Sequence, residues 1–189
     1  MTTAPLNLKG IVAAIGLLVA ISGSLAAQQA DSSDETALLA ELAQADTTRA
    51  RQLDRQLQAL WAKSGSPSAD FLLKRGRDAL ELHDYGAAIE HLTALTDHAP
   101  DFAEGWHARA SAYFAVNLFG PAIADLEHVL ALNPNHYNAI YGLGLMLEAL
   151  DRPEAAFAAY SRALAIHPHH EEVTSAVNRL KPRIEGQAL

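Results

Sequence analysis

Three kinds of residue recur every 34 positions in this chain of 189 residues. A proline series, an alanine series and a series of small residues share the spacing: Pro100, Pro134 and Pro168; Ala88, Ala122 and Ala156; Gly76, Ala110 and Gly144. A fixed period of this length is typical of stacked units, each of which buries its apolar face against a neighbour. Because proline cannot continue a helix, the spacing predicts two successive helices that end before each proline. The chain is therefore predicted to form a stack of helix pairs.

Large apolar residues keep the same period. They are Leu72, Trp106 and Ile140 in the first helix of each pair, and Leu92, Leu126 and Tyr160 in the second. This combination of small and large positions resembles the tetratricopeptide repeat (TPR) family, over about 102 residues in three consecutive copies. The resemblance implies an all-α fold, a right-handed superhelical solenoid of antiparallel helix pairs. In such a fold, small side chains allow close approach and large ones fill the space between units.

The rest of the sequence divides around three units, predicted at 69–102, 103–136 and 137–170. An N-terminal helical hairpin is predicted at 34–63, with Asp46 capping its second helix. A capping helix is predicted at 171–184, stopping at Pro182, because a repeat stack needs a polar outer face on its last element. The hairpin is either a degenerate fourth repeat or a separate cap. We favour the cap, since Arg55 would occupy the small-residue position of a repeat.

The N-terminal region has the pattern of an export signal. Residues 10–27 contain no charged side chain and follow Lys9. A basic start, an apolar run and small residues at its end predict a signal peptide at 1–27, followed by a flexible linker at 28–33. An uncleaved membrane anchor is the alternative, because about 18 residues is at the lower limit for crossing a bilayer. The expected location is the bacterial periplasm, or the inner membrane facing the periplasm if the anchor is retained.

Composition excludes several classes of function. The chain has no cysteine, which excludes disulfides, thiolate metal sites and a cysteine nucleophile. Its formal charge is −8 at pH 7, and loss of Lys9 with the signal peptide changes this to −9. A negative chain has no electrostatic attraction to nucleic acid, which is not an expected partner. No polybasic stretch is present to bind anionic lipid, so no membrane contact is expected after cleavage.

No nucleophile motif, phosphate-binding loop or paired carboxylates indicate catalysis. The chain is therefore predicted to be no enzyme and to use no cofactor. Histidine is the one chemical hint, with nine in the chain and a run of His-Pro-His-His-Glu-Glu from His167. Such a run can bind zinc, copper or nickel. We favour the interpretation that it is a histidine-rich turn between units, exposed to solvent at the end of a helix, and we assign no metal site.

The TPR resemblance implies that a partner lies along the concave face, which the first helix of each pair forms. The repeat register predicts a groove lined by Leu73, Arg77, His107, Ser111, Phe114, Tyr141, Leu145 and Glu148. This mixture of apolar, aromatic and polar groups suits an amphipathic helix or an extended peptide. The groove lacks the paired lysine and asparagine pattern with which some TPR proteins bind a terminal carboxylate. The expected function is a protein-interaction adaptor that binds a protein or peptide.

Two alternatives remain open at this point. The hairpin, or its Trp61, can fold against the first unit and cover Leu73 and Leu80, so that the chain fills part of its own groove. The chain can also be a structural protein that forms a homo-oligomer through its terminal helices, or that stays tethered by its N-terminus.

Overall fold

The computed structural model describes residues 34–187, and every regular element in this part of the chain is an α-helix. The helices are α1 (34–42), α2 (Thr47–Trp61), α3 (Pro67–Glu81), α4 (Tyr85–His98), α5 (Ala103–Ala115), α6 (Phe119–Leu132), α7 (Tyr137–Ala149), α8 (Pro153–Ile166) and α9 (Glu171–Gln187). The predicted all-α solenoid is confirmed. The predicted signal peptide at 1–27 and the linker at 28–33 lie outside the described residues. Between residues 34 and 187, no helix combines the length and the apolar character needed to cross a membrane.

Helices α3–α4, α5–α6 and α7–α8 form three pairs that stack in chain order. Small residues let the two helices of a pair approach closely. A Cβ atom added to Gly76 on α3 would meet Leu92 on α4, and one added to Gly144 on α7 would meet the ring of Tyr160 on α8. These are positions at which the sequence repeats a small residue. The 34-residue period therefore reflects the closest helix contact within each pair.

Each pair turns through one residue with a left-handed backbone conformation. His83, Asn117 and Asp151 have φ angles of 59°, 61° and 53°, and they are spaced by one repeat. The residue after each donates its N–H to a carbonyl five positions earlier, as Asp84 does to Ala79 at 2.9 Å. This bond closes the end of the first helix. All three pairs thus share one turn geometry, although none of the three residues is glycine.

Helix starts follow ordinary capping chemistry. The Arg49 N–H donates to the predicted cap Asp46 at 2.9 Å. Ser66 caps α3 directly before Pro67, whose missing N–H would have no partner in the first turn. His136 caps α7 through a ring nitrogen. This last cap places a histidine inside the stack.

The hairpin of α1 and α2 packs against the start of α7, where Trp61 stacks on His136 and the Tyr137 hydroxyl donates to Asp54. Its buried Leu42, Leu53 and Leu57 belong to one core with residues of α7, α8 and α9. The residues on the other side of that core are Tyr137, Ile140, Ala156, Tyr160, Ala163, Val173, Ala176 and Leu180. The sequence alternative placed the hairpin over Leu73 and Leu80 of the first unit. The structure agrees with this in part. Ala62, at the end of α2, packs against the core that contains Leu73, and Trp61 lines a cavity together with Leu80. Most of the hairpin packs against the third unit.

The last helix is longer than predicted. The sequence predicts a capping helix at 171–184 that stops at Pro182, but α9 continues with Pro182 inside it. Proline removes one backbone hydrogen bond, which disfavours a helix interior. Beyond the proline, however, Ile184 packs against the shared core, and Lys181 Nζ lies 3.9 Å from Glu185. Both contacts favour continuing the helix, so the predicted stop is wrong.

Candidate functional site

The groove is floored by α5 and α7, and α2 forms a wall along it. A main cavity of about 500 Å³ opens between these helices. Four predicted groove residues line it: His107, Ser111, Tyr141 and Leu145. The wall comes from α2 and from the turn between α8 and α9: Arg51, Asp54, Gln58, His167, His169 and His170. The sequence did not predict this wall, because α2 has no repeat register that relates it to the groove.

Two smaller cavities share residues with the main cavity. One, of about 200 Å³, is lined by the predicted residue Arg77 together with Trp61 of α2. The other is an apolar pocket of about 100 Å³, lined by Phe114, Leu126, Leu145 and Met146 among others. Since Leu145 belongs to both the main cavity and the apolar pocket, the two adjoin. Six of the eight predicted groove residues therefore lie around connected open space.

The other two predicted groove residues have different surroundings. Leu73 is only 3% exposed and lies in a core built from α3, α4 and α5. The register assigns Leu73 to the groove, but packing between helices buries it. Glu148 accepts hydrogen bonds from the Arg179 guanidinium and, at 3.1 Å, from the Tyr160 hydroxyl. Its carboxylate therefore joins α7 to α8 and α9.

A buried carboxylate, Glu104, organises the floor of the groove; it is 7% exposed. The Ala139 N–H donates to His136 Nδ1 at 3.1 Å, so His136 Nε2 carries the proton and donates to Glu104 Oε2 at 3.0 Å. His107 Nδ1 donates to Glu104 Oε1 at 3.2 Å. Arg77 pairs with the same oxygen. We call Arg77, Glu104, His107 and His136 the Glu104 cluster. It joins the first two units and reaches the third through the cap that His136 forms on α7.

The pKa values of this cluster follow from burial and hydrogen bonding. Burial alone would raise the pKa of Glu104, but the charge and hydrogen bond of His107 and the hydrogen bond of His136 hold it well below the ordinary value. Burial lowers the pKa of His136, and the hydrogen bond to Glu104 opposes that shift only in part. His136 is therefore neutral at pH 7. This agrees with the tautomer that the helix cap requires.

Contacts along α2 fasten the hairpin to the groove. The Trp61 ring lies 4.4 Å from the His136 ring, with the planes 19° apart. Further along, the Tyr137 hydroxyl donates to Asp54 at 2.7 Å. At the start of α2, His169 Nε2 donates to a backbone carbonyl of the α1–α2 turn at 2.9 Å. The helix thus runs from the Glu104 cluster to the turn before α9.

The fold and its repeat contacts agree with a comparison against known families. The family model described as tetratricopeptide repeat matches residues 73–119 and 107–171, which together make up more than half of the chain. The chain belongs to the tetratricopeptide repeat family. Its TPR units supply α5 and α7, the floor of the groove, whereas α1 and α2 lie outside the matched ranges.

Several TPR proteins are similar to this chain. A TPR repeat-containing protein of Rhizobium etli is 28% identical over 141 residues, covering 75% of this chain and 69% of that protein. The small glutamine-rich tetratricopeptide repeat-containing protein 2 of Saccharomyces cerevisiae is 28% identical over 59% of this chain, but over only 32% of its own length. Among solved structures, the first TPR of Spaghetti (RPAP3) bound to the HSP90 peptide SRMEEVD has a TM-score of 0.61 and 28% identity. That match covers 64% of this chain and 95% of the solved one.

The contact between His136 and Glu104 recurs one TPR unit later. His170 lies 34 residues after His136, and Asn138 lies 34 residues after Glu104. His170 Nε2 is 3.2 Å from Asn138 Oδ1. The sequence interpretation overlooked both pairs and treated His136 as a residue at the end of a helix. The equal spacing of each histidine and its partner was nevertheless a detectable pattern.

The Glu104 cluster also contains atoms that can ligate a metal. Ligand atoms of Glu104, His107 and His136 lie within 4.8 Å of one another. Two features oppose a cation there, since Arg77 already binds the carboxylate and His136 Nε2 carries a proton. Within the described chain, the histidines of the turn before α9 join no such group. We interpret the cluster as a hydrogen-bonded structural element of the groove.

Protein stability is expected to fall on mild acidification. Burial lowers the pKa of His136, His167 and His170. The unfolded chain therefore takes up these protons before the folded chain does, so stability is lost as pH falls below the ordinary histidine pKa of about 6.5. Urea titrations should show the free energy of unfolding falling between about pH 7.5 and about pH 5.5. The upper limit is about 1.4 kcal/mol per pH unit for each histidine.

His167 offers the sharpest control for this prediction, because its buried Nδ1 has no hydrogen-bond partner among the described residues. His167→Phe keeps a ring beside Tyr137 and removes the titrating group, so the pH profile should become flatter. His98→Gln is the matched control, since His98 is exposed at the end of α4. If the free energy of unfolding of His167→Phe depends on pH as steeply as that of the unchanged chain, His167 does not contribute to the acid destabilisation.

Proposed function

We propose that this chain is a non-catalytic adaptor of the bacterial cell envelope that holds a segment of a partner protein in its TPR groove. The observation that carries the proposal is the main cavity, which is open beside α2 and adjoins the apolar pocket. A polar cavity next to a recess for one aliphatic side chain suits a helix or an extended peptide. Peptide binding is the mode seen in the related first TPR of Spaghetti, which is bound to an HSP90 peptide.

The groove does not favour an acidic peptide of that HSP90 kind. Binding a terminal carboxylate requires cations or amide donors that are free to reach it. Arg77 is paired with buried Glu104, and Arg51 Nη2 lies 2.5 Å from Glu171. These two arginines, which line the groove cavities, are therefore already paired. The proposed partner differs in chemistry from the HSP90 peptide.

We propose that the chain has no catalytic role because the polar side chains of the Glu104 cluster are already hydrogen-bonded to one another. TPR proteins are generally interaction modules without catalytic activity. In the Glu104 cluster the carboxylate accepts from two imidazoles and one guanidinium, and His136 uses both ring nitrogens. A general base needs a nucleophile within hydrogen-bond reach, and the cluster holds no hydroxyl or thiol nucleophile. Its geometry favours rigidity over proton transfer.

The envelope location rests on the N-terminal sequence. A charge-free run after Lys9 that ends in small residues favours export and cleavage. N-terminal sequencing of the exported protein should give Ala27 or Gln28 as the first residue. A chain that keeps Met1 in the membrane fraction would support the anchored alternative. A chain found entirely in the cytoplasm would contradict the envelope proposal.

A photoreactive residue in the groove should capture the partner. Ser111 is exposed, lines all three cavities, and donates its hydroxyl only to its own helix at His107. Benzoylphenylalanine at Ser111 is therefore expected to crosslink one defined partner segment in cells without disturbing the core. Mass spectrometry of the crosslinked peptide identifies the segment.

The matched control is benzoylphenylalanine at Leu82, which is 79% exposed at a turn of the stack. This position should not capture the same segment. If both positions capture the same proteins, or if Ser111 captures none, the groove is not the binding surface.

A further inference from the structure

The wall of the main cavity carries an excess of negative charge. Among the described residues, three carboxylates but only one guanidinium line this cavity. Arg51 Nη2 lies 2.5 Å from Glu171, so these two charges neutralise each other. The other two negative charges belong to Glu172, at the start of α9, and to Asp54 on α2, whose carboxylate accepts hydrogen bonds from the uncharged Tyr137 and Gln58. They give the lining a formal charge of −2.

The two histidines nearest to these carboxylates, His167 and His170, do not cancel this charge at neutral pH. His167 Nε2 is 3.9 Å from Asp54, and His170 Nδ1 is 3.2 Å from Glu172. Burial lowers the pKa of both imidazoles, so both are neutral at pH 7. The cavity also contains His107, whose Nδ1 is turned to the buried Glu104. Among the described residues, Arg51 is the one arginine or lysine in the lining of the main cavity, and it is already paired with Glu171.

Aromatic and apolar surface lies directly beside the two carboxylates. Tyr141 lines the main cavity, and its pKa is raised by burial and then by the charge of Glu172. An aromatic face next to carboxylates is favourable for a lysine or arginine side chain. The adjoining apolar pocket, with Phe114 and Met146 in its wall, has room for an aliphatic side chain. Polar and apolar binding surfaces are therefore a short distance apart.

We infer that the groove selects a partner segment in which a lysine or arginine lies close to an aliphatic residue. The basic side chain occupies the main cavity between Asp54 and Glu172, and the aliphatic side chain enters the apolar pocket. The negative charges of Asp54 and Glu172 attract a basic side chain and repel an acidic chain end, so charge complementarity favours the basic segment. The inference rests on the proposed function and adds the chemistry of the partner to it.

A peptide array tests the inference with the full chain as the probe. One arginine and one leucine are moved through all positions of a neutral alanine–glutamine background, and matched members carry glutamate in place of arginine or serine in place of leucine. The tightest members should contain both arginine and leucine. Fluorescence anisotropy should show binding weakened about tenfold or more by glutamate, because a favourable charge contact becomes a repulsive one.

Matched variants locate the charge preference. The double variant Asp54→Asn with Glu172→Gln keeps an acceptor oxygen for the Tyr137 hydroxyl and removes both negative charges. It should bind the arginine and glutamate peptides with affinities within about threefold of each other. The control double variant Glu90→Gln with Glu154→Gln removes two exposed charges on α4 and α8 and should retain the preference.

The results that overturn the inference differ from those that overturn the proposed function. If no array member binds, if charge has no effect, or if Asp54→Asn with Glu172→Gln retains the preference, the inference is wrong. A segment captured at Ser111 that contains no lysine or arginine also overturns it, while leaving the adaptor function in place. Failure of Ser111 to capture any segment overturns the adaptor function itself.

Discussion

Glu104→Ala is expected to lower the free energy of unfolding by about 1.5–3 kcal/mol, the usual cost of losing hydrogen bonds to a charged acceptor and leaving a buried donor unsatisfied. The carboxylate accepts from His107 and His136 and pairs with Arg77. Arg77 is 42% exposed along its side chain and can turn to water. His136, at 1% exposure, cannot, so its Nε2–H would lose its partner inside the protein.

Urea denaturation at neutral pH measures this change. Glu104→Gln keeps an oxygen that can accept from His136 and should fall between the unchanged chain and Glu104→Ala. Glu127→Ala is the control, because Glu127 is exposed on α6; its change should stay within about 0.5 kcal/mol. A loss below about 1 kcal/mol for Glu104→Ala would show that the cluster contributes little to stability.

The charge of Glu104 also sets an acid limit for the fold. Its folded-state pKa is lowered by the two histidines. The stabilisation from its charge is therefore fully present above the ordinary glutamate value of about 4.5 and is lost as pH falls towards the folded-state pKa. This loss begins at a lower pH than that from the buried histidines. Glu104→Gln should make the low-pH part of the stability profile shallower, since Glu148 also has a lowered pKa, and should leave the part near pH 6 that comes from His167 and His170 in place.

Gly144→Ala is expected to destabilise the fold by about 2–3 kcal/mol, at the upper end of the range for overpacking a core. A Cβ atom at this position would lie 2.3 Å from Tyr160 Cε1 and 2.5 Å from Cδ1. The ring has little freedom to move, since Tyr160 is fully buried and its hydroxyl donates to Glu148. Helices α7 and α8 would have to separate. Thermal and urea unfolding both measure the effect.

Gly86→Ala on α4 is the matched control, because a Cβ atom added there meets only Asp84 Oδ1, at 3.8 Å, which is an ordinary contact. Alanine is the better helix former by up to about 1 kcal/mol. The two variants should therefore change stability in opposite directions. Equal and small effects at both positions would mean that the close contact between α7 and α8 is not required.

The predicted groove shows how far a repeat register can be trusted. The register assigns Leu73 and His107 to the same position of successive units, and only His107 lines the cavities. Leu73 is buried because its side chain is apolar and packs with Ala108 of the next unit. A register indicates which face of a helix a residue occupies. How deeply a side chain lies in that face depends on its neighbours from other units.

The contacts within the Glu104 cluster could not be predicted from the sequence either. His136 and Glu104 are 32 positions apart in the chain, and nothing local to either residue indicates that they meet. The spacing between His136 and His170 was visible, but spacing alone does not distinguish an exposed turn from a buried cap. Burial distinguishes them, because it makes His136 neutral and forces both ring nitrogens to find partners.

The helix pairs and their turns could be predicted from the 34-residue pattern, and the resemblance to the TPR family implied which face forms the groove. Each depends on contacts within one unit or between adjacent units, and these contacts repeat with the pattern. The position of α2 could not be predicted in this way, because it depends on contacts between residues far apart in the chain, such as Thr47 and His169, which are 122 positions apart. The hairpin shares no period with the units it covers, so only packing of the whole chain decides where it lies. The acidic wall of the main cavity is a consequence of that packing.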